Sequence, residues 1–262
     1  MNPSGGGSPV RGLARAQRAW QFVLYPEAGE GGGSRHVVCS ESGSDWPPLD
    51  PEEAARRSGE EAQRRARGKV RRYCAANRLN RLGTLTYAGA GCHDPAEVRT
   101  DVGEFMRALR RRVGQRFAYL WVPEWHPGGH GLHLHFAVGQ FIRRRDIESA
   151  WGRGFISIKL LGDLPTGSGA LAEGRVAGRY LGKYLGKGWD SEEDAWRATV
   201  GAHRYEVAEG FQPREIDLGG ETDLEVLGWA EDLMSGPPAR TWYSNETDGW
   251  HGPPAVWASW DR

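Results

Sequence analysis

The stretch from Phe117 to Gly139, FAYLWVPEWHPGGHGLHLHFAVG, restricts the possible folds more than any other part of the chain. Two runs of strand-forming residues flank a Pro-Gly-Gly turn, so the segment is expected to fold back on itself as an antiparallel pair. Side chains alternate along a strand. His133 and His135 therefore share one face, while Leu132, Leu134, Phe136 and Val138 take the other. Four of the eight histidines, His126, His130, His133 and His135, fall within these few positions. Imidazole titrates near neutrality and is a common metal ligand, which marks the polar face as a candidate site.

The flanking sequence extends the pair into a sheet. RLGTLTY, ending at Tyr87, reads as a strand. Asp94-Pro95 opens a helix, with Glu97 completing a capping box. Val98, Val102, Phe105, Met106, Leu109 and Val113 recur in it at helical spacing, and Arg110 to Arg112 suit its negative C-terminal end. A third helix is expected over Arg143 to Trp151, followed by strand GFISIK to Lys159. The resulting β-α-β-β-α-β order predicts the α+β class, with one central antiparallel sheet in the split βαβ (ferredoxin/RRM-like) arrangement. Asp50-Pro51-Glu52-Glu53 starts an arginine-rich helix that leads into this region and runs to about Asn77. A Gly/Pro/Ser loop at residues 162 to 169 precedes a helix over about Leu171 to Lys187.

Three segments follow: a flexible N-terminal segment at 1–48, containing GGG twice; a central domain at 49–218; and an acidic C-terminal segment at 219–262. Trp229, Trp242, Trp250, Trp257 and Trp260 in the last of these imply packing onto something. A net charge of zero conceals a division, because residues 56–116 hold sixteen basic and six acidic residues, whereas residues 189–262 hold five and sixteen. A basic front half points to a polyanionic partner. Arginines at 64 to 72, 107 to 116 and 143 to 145 are the candidates for phosphate contacts, with affinity expected to fall steeply with salt. No apolar run long enough to cross a membrane occurs, and no secretory signal is recognisable, so a cytoplasmic protein without a membrane partner is expected. Cys39, Cys74 and Cys92 form no CxxC pair and read as reduced thiols.

Two imidazoles from one strand do not complete a metal shell. Glu124, on the partner strand across the turn, would supply a carboxylate and leave positions open for water or substrate. His126 shares its parity and competes for that place, while His130 reads as a surface residue of the turn. A His-x-His metalloprotein of the cupin type would want a glutamate shortly after the histidines, where this sequence has FAVGQ.

The tandem repeat YLGKYLGK, residues 180 to 187, has a period near one helical turn. Tyr180, Lys183, Tyr184 and Lys187 then share an arc beside an apolar stripe of Ala177, Leu181 and Leu185. Only four of the 34 cationic residues are lysines, and two of them are here. Compact ammonium charges beside phenols suit phosphate chemistry. Nearby cations favour the phenolate, and a divalent metal makes a bound phosphate more electrophilic, so a tyrosine could act as nucleophile.

These features together resemble the HUH endonucleases, and specifically the rolling-circle replication initiators (Rep proteins) of plasmids and phages. GTLTY at 83–87 is similar to the first motif of that family, His133-Leu134-His135 with Phe136, Ala137 and Val138 to the second, and Tyr180-x-x-Lys183 with Tyr184-x-x-Lys187 to the third. The resemblance spans roughly residues 75 to 210. It implies an HUH nuclease domain with the nucleophile helix packed near the sheet, and Mg²⁺ or Mn²⁺ held by His133, His135 and a third ligand. It also implies attack by Tyr180 or Tyr184 on single-stranded or hairpin origin DNA, with Lys183 or Lys187 near the scissile phosphate. The product would be a 5′-phosphotyrosine link and a primer 3′-OH. No GxxxxGK[ST] occurs, so a host helicase would unwind the duplex and a host DNA polymerase would extend the primer. Two alternatives remain: a relaxase or transposase of the same superfamily, although relaxases usually carry their tyrosine before the histidines, and a non-catalytic DNA-binding regulator with a structural metal.

Overall fold

The computed structural model describes residues 19–36, 50–160, 169–185, 204–250 and 252–261. They fall into two compact units. The larger unit holds the β-α-β-β-α-β series: β3 (Arg81–Tyr87), α2 (Pro95–Val113), β4 (Tyr119–Trp125), β5 (Leu132–Val138), α3 (Arg144–Trp151) and β6 (Gly154–Leu160). A short β7 (Glu206–Val207) adds a fifth strand, and the spatial order is β6-β3-β5-β4-β7, antiparallel throughout. This is the expected α+β class, with the four strands interleaved as the split βαβ arrangement requires.

The two faces of the sheet follow from the alternation. Leu85, Leu132, Leu134, Phe136 and Val138 are buried on one face against α2 and α3, whose contributions include Val102, Phe105, Leu109, Ile147 and Trp151. α2 begins at Asp94, whose side chain accepts from the Ala96 N–H at 2.8 Å, a cap that typically contributes about 1 kcal/mol. Gly83 is needed on β3 because a Cβ there would lie 2.2 Å from the Phe136 ring. Pro123 donates nothing to a ladder, and β7 pairs only with Leu120 and Trp121, so Pro123 lies where β4 is an edge.

The opposite face carries α1 (Pro51–Ala76) and α4 (Gly169–Tyr184). Val70, Tyr73 and Cys74 of α1 and Ala177 and Leu181 of α4 pack with Leu82, Leu120, Val122 and Ala137 of the sheet. The expected cap at Asp50 is not made by its side chain; its carbonyl accepts from the Ala54 N–H at 2.8 Å instead.

The smaller unit differs from the sequence-based expectation. Residues 20–35 fall inside the segment expected to be flexible, yet they form β1 (Trp20–Tyr25) and β2 (Glu30–Arg35). These strands join β8 (Ile216–Gly220), β9 (Arg240–Tyr243) and β10 (Ala255–Ser259) in a sheet of order β8-β1-β2-β10-β9. Phe22, Leu24, Val256 and Trp260 form its core with Val226, Leu227 and Ala230 of α5 (Asp223–Met234). The glycines that suggest a linker are packing residues. A Cβ on Gly31 would stand 2.4 Å from the Phe22 ring, and one on Gly33 2.1 Å from the Gln21 carbonyl oxygen. Trp260 is buried in this unit, and its indole N–H donates to the Gly236 carbonyl at 2.8 Å.

Candidate active site

The antiparallel register sets the polar face. Thr84 of β3 lies opposite His135 of β5, and His133 lies opposite Glu124 of β4. Because directly paired residues point the same way, Thr84, Glu124, His133 and His135 share the face that carries α4. His135 is 8% exposed, and its ring is held from both ends: Nε2 lies 2.7 Å from Glu124 Oε2, and Nδ1 lies 3.1 Å from Thr84 Oγ1.

His133 is placed differently. Its Nε2 is buried and lacks a hydrogen-bond partner. Its ring lies 4.5 Å from that of His126, whose Nδ1 accepts from the Gly128 N–H at 3.0 Å. Burial, with His126 and His135 nearby, holds the His133 imidazole below its ordinary value and favours the neutral form. Glu124 therefore lies against His135 and His126 against His133, while His130 contacts His126 at 6.2 Å between ring centroids.

α4 brings the tyrosines over this face. The Tyr184 ring stacks on His135, with centroids 4.0 Å apart and planes 10° apart, and the Tyr180 ring lies edge-on at 6.4 Å. The Tyr184 hydroxyl donates to the Tyr180 oxygen at 2.8 Å. Burial and that hydrogen bond push the Tyr184 phenol far above its ordinary value, so it remains a donor at neutral pH. Lys183 Nζ lies 5.9 Å from the Tyr180 ring centroid. Lys187 lies outside the described residues.

A cavity of about 550 Å³ opens beside these groups. Its lining includes Thr84, His135, Tyr180 and Lys183, together with Ser157, Lys159 and Arg179, none of which was singled out from the sequence. The scarcity of lysine was the signal that could have found Lys159. No sequence pattern marked Arg179. The arginines of α2 and α3 lie on the other face of the sheet. Arg110 is occupied there, donating to the Phe117 carbonyl at 3.2 Å and lying 4.9 Å from the Tyr119 ring centroid.

The donors of this face suit a divalent cation, since two imidazoles and a carboxylate are assembled on adjacent strands and one buried imidazole nitrogen is left over. As they stand, no three His, Cys, Asp or Glu side chains among the described residues converge at metal-binding distance. Thr84 on Nδ1 is the partner that would hold His135 with Nε2 directed at such an ion.

Residues 80–189 match a family model described as a replication-associated protein of the ORF2 type. The matched stretch takes in the first strand of the sheet, the histidine strand and the tyrosine helix. It supports a replication-associated protein of the initiator (Rep) type. The chain matches no curated protein and no solved structure with significance.

Proposed function

We propose that the protein is a rolling-circle replication initiator of the HUH type, which nicks and rejoins single-stranded origin DNA through a 5′-phosphotyrosine intermediate. The observation that carries this reading is the placement of the paired Tyr180 and Tyr184 hydroxyls directly over His135, at the edge of a cavity that also holds Lys183, Lys159 and Arg179. The match to replication-associated proteins supports the same reading.

Tyr180 is the first nucleophile. Its oxygen accepts the Tyr184 hydrogen bond, which stabilises developing phenolate charge, and its side chain is 36% exposed toward the cavity. The phenol proton leaves to water, the Tyr180 oxygen bonds to phosphorus, and the bond from phosphorus to the 3′ oxygen breaks. That oxygen takes up a proton and becomes the 3′-OH for a host polymerase. Lys183, Lys159 and Arg179 bind the phosphate oxygens as charge gathers on them. Tyr184 holds Tyr180 in place and is positioned to take the strand in a second transfer. Mg²⁺ or Mn²⁺, held by His133, His135 and Glu124, would make the bound phosphate more electrophilic.

The test is incubation with a single-stranded origin oligonucleotide and Mn²⁺, followed by a denaturing gel. A covalent adduct that disappears with EDTA and in Tyr180→Phe is expected, with Tyr184→Phe retaining reduced adduct formation. Tight binding without any adduct would instead identify a non-catalytic regulator. A processing site at a transfer origin or an element's end would identify a relaxase or transposase.

A further inference from the structure

α1 precedes the stretch matched by the family model, yet it reaches the candidate site. It does so through glycine. Gly174, Gly178 and Gly182 recur every four residues along α4 and face α1. A Cβ would stand 2.6 Å from the Cys74 carbonyl oxygen at Gly174 and 2.7 Å from the Arg71 Cα at Gly178. The helices therefore cross with their backbones nearly in contact. Beside the crossing lies a cleft of about 360 Å³, lined by Arg67 and Arg71 of α1 and by Arg179 and Lys183 of α4, along with two of the glycines. Each cation pair is spaced i,i+4, where like charges repel. No carboxylate lines the cleft among the described residues. Earlier on α1, Arg56, Arg57 and Arg65 pair with Glu60, Glu53 and Glu61.

Arg179 and Lys183 line both this cleft and the cavity that contains Tyr180 and His135, so the two spaces adjoin along α4. We propose that the α1–α4 cleft is a second phosphate site, which holds the backbone of single-stranded DNA next to the phosphate that is cut. The inference rests on the nuclease reading above. Its physical basis is the close crossing, which brings four cations together around a space open to an anion. Arg67 is already oriented, since its Nε donates to the Gly182 carbonyl at 3.3 Å. α1 then sets where the strand lies relative to Tyr180 without touching the reacting atoms.

The test measures binding of a fluorescent oligothymidylate of about twenty nucleotides at increasing NaCl, in EDTA so that no cleavage occurs. Removing two phosphate contacts by Arg67→Gln/Arg71→Gln is expected to flatten the log–log salt slope by about 1.4 and to weaken binding roughly tenfold at low salt. Arg67→Lys/Arg71→Lys keeps the charge and is expected to keep the slope. Arg56→Gln/Arg57→Gln, on the same helix outside the cleft, is expected to change it much less. Equal losses from both glutamine pairs, or none from Arg67→Gln/Arg71→Gln, would overturn the cleft. Should that variant melt early, Arg179→Gln on the exposed face of α4 gives the same reading. Failure of the wild-type protein to form an adduct, with the slopes as expected, would refute the nuclease reading alone. Adduct formation with unchanged slopes would refute the cleft alone.

Discussion

His133 and His135 are two residues apart on one strand and face in the same direction, but their surroundings differ. His135 is fixed between Thr84 and Glu124, whereas His133 keeps a buried nitrogen without a partner. The His133 value is lowered on folding, so the folded state binds fewer protons there than the unfolded chain. The stability it contributes is present above the unfolded value of 6.5 and is lost as pH falls from there toward the lower folded value. Thermal unfolding followed from pH 7.5 to 5.5 is expected to show a falling Tm, with a shallower fall in His133→Gln. Thr84→Val keeps the shape but removes the hydrogen bond to Nδ1. The Mn²⁺ concentration needed for half-maximal adduct formation is expected to rise by about ten- to a hundredfold, the usual effect of losing such a partner. An unchanged Mn²⁺ midpoint would show that Thr84 does not orient the ring.

The elements that build the site are local in sequence, which is why they were legible. Strand alternation separated the imidazole face from the apolar face, and the helical period placed Tyr180 and Tyr184 on one side of α4. Nothing in the spacing indicated which strand would pair with which, so Thr84 was visible as part of a motif but not as a partner of His135. The α1–α4 crossing was hidden for a related reason, because glycines four apart read as weak helix positions until a second helix is seen against them. Gly178→Ala would drive a methyl group against the Arg71 backbone. A loss of about 1–3 kcal/mol is expected from such overpacking. Denaturant unfolding measures it, and single-stranded DNA binding is expected to weaken with it. A fully stable Gly178→Ala variant would mean that the crossing can open.

At the scale of the whole chain, the basic and acidic halves do not correspond to the two units, because the smaller one combines residues from both ends of the described chain. Trp20 pairs with Gly220, and Ser34 with Ala255. Pairings across that separation leave no local trace, and the glycine run of β2 looks like a linker. Deleting residues 1–36 removes the two strands between β8 and β10. The deletion is expected to leave α5 and β8 open to limited proteolysis, while the β3–β6 sheet stays protected. Equal protection with and without those residues would show that β1 and β2 are dispensable. The larger unit is thus an insertion between strands of the smaller sheet. During synthesis the tyrosine helix and its histidine strand can collapse first, whereas β1 and β2 leave the ribosome early and must wait, unpaired, until β8 and β10 have been translated.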